Sequence, residues 1–262
     1  MSRSGKTTIR VDYAPMRTAA LAAALLLFAW PAKADLSSFA LEVTATNASG
    51  AGTFQLNLNQ LNYNAELDRW WWNSASPVSI MNQGNTAVVA TINQISIAYV
   101  QDPQVSLGLF VEAGGSDTTF TITSALLSFP TLDPASGSVS AGITVTDNNG
   151  NGATLSGLHA GGAAYLAQYN GLVPGGTTFA SLLTSPIMTT ANGTTAATGE
   201  FPGGGAFSAI GVPVSSMSAQ FSFMLSAGDS ASSTSTFTVV PAPGAAIMIV
   251  GGLLAARGRR RR

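Results

Sequence analysis

The stretch "VSLGLFV", residues 105–111, decides how the chain folds. Val105, Leu107, Leu109 and Val111 alternate with Ser106, Gly108 and Phe110. Successive side chains of an extended backbone point to opposite faces, so a period of two gathers four aliphatic residues on one side of a strand. A helix would scatter them. The same period recurs on either side. "TFQLNLNQ" (53–60) sets Phe54, Leu56 and Leu58 against Gln55, Asn57 and Asn59, and "QISIAYV" (94–100) aligns Ile95, Ile97 and Tyr99. "TTFTITS" (118–124), "GSVSAGITVTD" (137–147), "SAQFSFMLS" (218–226) and "STSTFTVV" (233–240) read likewise. Turn chemistry separates them: "DPQ", "EAGGSD", "LDPASG", "NNGNG" and "SAGDSASS". Many short strands at this spacing predict an all-β body, an antiparallel β-sandwich or jelly roll. With no linker and no fixed-period repeat, residues 35–240 form one domain. "AAYLAQY" (163–169) and "TTFASLLT" (177–184) are expected to be helical turns, and Gly-rich "GEFPGGGAF" (199–207) a loop.

Charge is sharply segregated. The 262 residues contain 11 Lys and Arg and 12 Asp and Glu, no Cys and one His. Between Asp35 and Pro243 the only basic residue is Arg69, against eleven acidic ones, so this body carries 1 − 11, or −10. Nucleic-acid affinity comes largely from cationic side chains at phosphates, so nucleic acid is excluded as a partner of the body. A fold without Cys does not depend on disulfides.

The positive charge sits at the two ends. Residues 16–35, "MRTAALAAALLLFAWPAKAD", offer Arg17, a continuous apolar run from Ala19 to Trp30, and a small-x-small site at Ala32-Lys33-Ala34. This is the pattern of a secretory signal peptide over residues 1–34, with Asp35 as the first mature residue and signal peptidase as a partner. Met16 is a second candidate start. At the other end, Pro241-Ala242-Pro243 precedes an apolar run, 244–256, and then Arg257, Arg259, Arg260, Arg261 and Arg262. The run is shorter than the ~20 residues of an ordinary spanning helix. It reads as a short membrane helix at the inner membrane, with the arginines locking the terminus on the cytoplasmic side.

This three-part ending, residues 241–262, resembles the PEP-CTERM sorting signal of Gram-negative bacterial proteins handled by exosortase, with Ala242 where that family most often has Glu. The resemblance covers the last two dozen residues alone. It implies transit through the membrane, an exosortase-like processing enzyme as partner, and delivery to the cell surface or extracellular matrix. It implies nothing about the body.

Within the body three features carry candidate chemistry. "AELDRWWWN" (65–73) as a strand would put Glu66, Asp68, Trp70 and Trp72 on one face. Carboxylates two residues apart lie roughly 6.5–7 Å apart along a strand, within the range used by glycosidases. Trp70, Trp71 and Trp72 could stack on extracellular polysaccharide. The structural alternative has Leu67 and Trp71 facing the core. "TDNNGNG" (146–152) holds Asp147, Asn149 and Asn151 at the first ligand spacing of a calcium loop, yet Leu158 stands where the bidentate Glu belongs, so an Asn-Gly hairpin turn is the stronger reading. His159 is the only His, without a nucleophile elbow around any Ser. No cofactor, metal or catalytic residue is therefore expected. The sequence favours a non-catalytic exported surface protein. A carbohydrate-binding module on the Trp cluster and a hydrolase using Glu66 and Asp68 stand as alternatives.

Overall fold

The computed structural model describes residues 34–242. The expected signal helix, Ala32, Pro243, the apolar run 244–256 and Arg257, Arg259, Arg260, Arg261 and Arg262 lie outside the described residues. The chain enters with β1 (Asp35–Asn47), β2 (Gly50–Leu56), β3 (Asn62–Asn64), β4 (Arg69–Asn73), β5 (Val78–Met81) and β6 (Val88–Val100). It continues through β7 (Gln104–Ala113), β8 (Thr118–Leu132), β9 (Ala135–Thr146), β10 (Ala153–Gly157), β11 (Tyr165–Tyr169) and β12 (Thr177–Leu182). It closes with β13 (Ile187–Thr189), β14 (Thr194–Phe201), β15 (Ser208–Ile210), β16 (Val214–Leu225) and β17 (Ser230–Pro241). Among the described residues the only helical pieces are two single 3-10 turns, Leu58–Gln60 and Ala160–Gly162. None is long and apolar enough to cross a membrane.

The protein is all-β, built from two antiparallel sheets around one core. One sheet runs β12-β11-β16-β8-β1-β2, with β10 and β13 added beside β16; the other runs β14-β9-β17-β7-β6-β4-β3, with β15 on β9 and β5 on β6. The alternation of residues 105–111 is realised along β7, where Val105, Leu107, Leu109 and Val111 are buried. Ile95, Ile97 and Tyr99 on β6 and Val139, Ala141, Ile143 and Val145 on β9 extend this inner face within the same sheet, and Phe120 and Ile122 on β8 come from the sheet opposite. Aromatic pairs anchor the other sheet: Phe120–Phe223 at 5.5 Å and Tyr165–Phe221 at 4.8 Å between ring centroids. Burying one such ring removes 150–250 Å² from water, and the tilted geometry adds quadrupole attraction.

The Tyr99 side chain helps to tie the sheets together. The β1/β8 pairing skips between Ser37 and Leu41, and the β16/β8 pairing skips between Met217 and Gln220. Ala125 therefore faces irregularity on both sides. The Tyr99 hydroxyl, from the opposite sheet, enters the first gap. It donates to the Ala40 carbonyl (2.5 Å) and accepts from the Ala125 N–H (3.0 Å). The Ser124 hydroxyl fills the second gap, accepting from the Ala219 N–H (2.9 Å) and donating to the Ala125 carbonyl (2.8 Å). Side-chain hydroxyls here replace the ladder bonds that the bulges remove. Burial pushes the Tyr99 phenol far up, the Ala125 N–H pulling only weakly the other way, so the side chain stays a neutral donor.

Three local expectations are corrected. "AAYLAQY" and "TTFASLLT" are strands β11 and β12, not helical turns. Tyr165, Leu166, Ala167 and Gln168 are all buried because β11 lies between β12 and β16 and is covered on both faces; such a run has no period by which to tell strand from helix. Leu58 leaves the strand that should have carried it, since β2 ends at Leu56 and the Asn57 N–H donates to Gln60 Oε1 (2.8 Å) as a turn begins. The loop expected over 199–207 starts late, because β14 pairs with β9 through Phe201.

Candidate functional site

The Trp and carboxylate corner is built from a turn and a short strand. The Asn64 side-chain oxygen accepts from the N–H groups of Glu66 (2.8 Å) and Leu67 (3.1 Å), folding the chain into an Asx-type turn. Asp68 follows with φ of 43°, and β4 begins only at Arg69. Glu66 and Asp68 are therefore not on the strand with Trp70 and Trp72, and the shared face expected from the sequence does not form. Leu67 points outward, 61% exposed, which also corrects the alternative that put it in the core.

Both oxygens of Asp68 accept a hydrogen bond. Its Oδ1 accepts from the Tyr63 hydroxyl (2.5 Å). Its Oδ2 accepts from the Gln101 amide (2.8 Å), whose oxygen in turn accepts from the Ala34 N–H (2.9 Å); the amide orientation is the one that satisfies both partners. The hydrogen bond to Asp68 raises the Tyr63 phenol above its ordinary value. An open hollow of about 310 Å³ beside them is lined by Ala34, Glu66, Leu67, Asp68, Gln101, Asp102 and Pro130. Through Tyr63 and Gln101 the Asp68 carboxylate ties the turn to the segment after β6.

On β4 all three indoles are half-buried, and the register decides which face each takes. Trp70 pairs with Tyr99 and Trp72 with Ile97, both core residues, and both indoles pack against the core. Trp71 pairs with Ala98 on the opposite, outer face, between Arg69 and Asn73. Tyr63 lies against Trp70 at 5.1 Å. The three tryptophans thus form no common platform, and Trp71 alone is offered outward.

The Asp147 loop is a structural turn joining β9 to β10. Asp147 is buried, 5% exposed. Its Oδ1 accepts from the N–H groups of Asn149 (3.2 Å) and Gly150 (3.0 Å), and its Oδ2 from that of Asn192 (2.5 Å). Asn149 is turned away to donate to the Ala227 carbonyl (2.6 Å), and its oxygen accepts from Asn151 (3.1 Å). Oxygens that a cation would need are already committed to N–H donors. Among the described residues no group of three or more His, Asp or Glu side chains could hold a metal. Burial alone would raise the Asp147 carboxyl, but the N–H groups of Asn192, Gly152, Asn149 and Gly150 outweigh it and bring it down to about 2. The unfolded group titrates near 3.9, so its stabilising contribution is complete above about pH 4 and disappears as pH falls through about 2. Asp147→Asn is expected to lower the unfolding midpoint at pH 7, with the gap to wild type closing between about pH 4 and pH 2. EDTA should leave the wild-type midpoint unchanged; a large drop would restore the cation reading.

His159 opens the 3-10 turn Ala160–Gly162, its N–H donating to the Ala163 carbonyl (2.9 Å). Desolvation lowers its pKa, with a hydrogen bond at Gln220 opposing, and its Nε2 is sealed without a hydrogen-bond partner. It has the environment of a neutral packing residue. The chain matches no family model and no curated protein.

Proposed function

We propose that the chain is an exported, non-catalytic β-sandwich protein of the cell surface or extracellular matrix, freed from a signal peptide and processed through a PEP-CTERM-like C-terminal signal. The observation that carries the reading is the agreement of two boundaries. β1 begins at Asp35, the residue after the Ala32-Lys33-Ala34 site, and β17 ends at Pro241, the first residue of Pro-Ala-Pro. The charge segregation agrees with it: an acidic body with a single Arg, and arginines massed behind an apolar run.

Expression in an exosortase-bearing Gram-negative host tests the proposal through intact mass and fractionation. The released wild-type protein should begin at Asp35 and end near Pro243. Changing Arg257, Arg259, Arg260, Arg261 and Arg262 together to Ser should let the uncut chain slip past the inner membrane, because the short apolar run alone is a poor stop. The Pro241→Ala, Pro243→Ala pair should stay anchored and unprocessed. If both variants fractionate like wild type, the sorting reading is wrong.

A further inference from the structure

The outer face of the nine-stranded sheet carries a trough on both sides of β17. Two open hollows, about 440 Å³ and about 220 Å³, lie on either side of β17 and share Thr234, Ser235 and Thr236 as lining. The register aligns a row across six strands, Asn73, Ser96, Gly108, Thr234, Gly142 and Thr198, of which the last five line the hollows. At ~4.8 Å per strand the row runs about 24 Å. The parallel row beside it begins at Trp71 and ends at Glu200.

Gly108 and Gly142 are the unexplained members. Each sits mid-strand, directly opposite Thr234. Neither has a positive φ, and the ladders are unbroken at both. A Cβ at Gly108 would come no closer than 3.4 Å to Ser96, and one at Gly142 no closer than 3.5 Å to Thr198, both ordinary contacts. Glycine inside a strand weakens it and serves at bulges, bends or places where something approaches the backbone closely. No bulge lies at either glycine, and the hollows above them leave room for something to approach the backbone closely.

We infer that this trough is a binding site for an extended neutral polysaccharide, with Gly108 and Gly142 keeping the floor low, Ser96, Thr234 and Thr198 meeting sugar hydroxyls, and Trp71 stacking on a ring at one end. The chemistry selects that class. The floor is hydroxyl and glycine; charge appears only at the ends, at Arg69 and Glu200. A body of net −10 with one Arg repels polyanions. A peptide strand would seek an unpaired sheet edge, whereas the trough crosses strands already paired on both sides. The inference goes beyond the export reading and does not depend on it.

Affinity electrophoresis of the full-length chain in a zwitterionic detergent tests it, with xylan, galactomannan or mixed-linkage β-glucan in the gel and alginate as the anionic comparison. At least one neutral polymer should retard wild type. The Gly108→Val, Gly142→Val pair and Trp71→Ala should each weaken retardation at least tenfold. Trp71→Phe should retain most of it, and Met188→Ala, at an exposed site elsewhere, all of it. If the valine pair loses cooperative unfolding, Trp71→Ala and Thr234→Ala decide the matter. Failure of every neutral polymer to retard wild type overturns the inference, as does retardation by alginate alone. So does undiminished binding by the filled trough, or light scattering that shows a dimer which the valines dissolve.

Discussion

Gly157→Ala is expected to cost about 3 kcal/mol or more, and to lower the thermal midpoint by roughly 6–12 °C. Gly157 ends β10, opposite Phe223 of β16, and the chain at 162–164 crosses directly over it. A Cβ there would fall well inside 3.0 Å of the Ala163 carbonyl carbon, the Gly162 oxygen and the Ala164 nitrogen. All three are backbone atoms, so no rotamer change relieves the overlap. The crossing segment is itself pinned, with the Ala164 carbonyl accepting from Ser222 and its N–H donating to Leu183. Moving it therefore disturbs β16 and the segment after β12 together. Gly203→Ala is the control: no atom lies within 4 Å of its Cβ position, and the change should stay within about 0.5 kcal/mol. Equal midpoints for the two variants would show that the crossing segment is loose.

Tyr99→Phe should cost about 3 kcal/mol, although it removes a single oxygen. The Ala125 N–H and the Ala40 carbonyl both lose their partner, and both residues are fully buried. A buried group left unsatisfied costs about 1–3 kcal/mol, and here there are two. Tyr165→Phe supplies the contrast. Tyr165 is equally buried, but its hydroxyl has no partner at proper hydrogen-bond geometry; burial drives its phenol far up, and the nearby Ser235 hydroxyl only partly offsets the rise. Deleting that oxygen should be neutral or stabilising. Chemical denaturation of the three proteins measures both differences. A Tyr165→Phe loss as large as that of Tyr99→Phe would place a hidden partner, such as a buried water, beside Tyr165 and Ser235.

Much of the fold was legible because its signal is local. Val105 to Val111 and Ile95 to Tyr99 carry their period in their own side chains. β11 was not legible, since burial on both faces erased the alternation that marks a strand. At the Trp corner the difficulty was a single residue: Asn64 turns the chain before Arg69, so Glu66 and Asp68 never enter the strand's alternation. "NAELD" does carry a turn residue, and that signal, weighed against the strand pattern of the tryptophans, could have been found. The trough had no local signal. Ser96, Gly108, Thr234, Gly142 and Thr198 come from five separate strands, each reading as a solvated face. Only the register across them makes a site, and register depends on contacts distant in sequence.

The place of β17 has a consequence for the order of assembly. It is the last of the described strands, yet it lies inside its sheet, between β7 and β9, with twelve residues paired to β9. Until residues 230–241 have emerged from the ribosome, β7 and β9 face each other across an empty lane, each with an open edge. The sheet cannot be completed by growing outward from a hairpin; it must wait for its middle to be inserted. Long-range closure of this kind is slow. A sheet that stays unfinished until β17 arrives keeps the chain threadable until then, and an edge kept open so long is where a premature neighbour would pair.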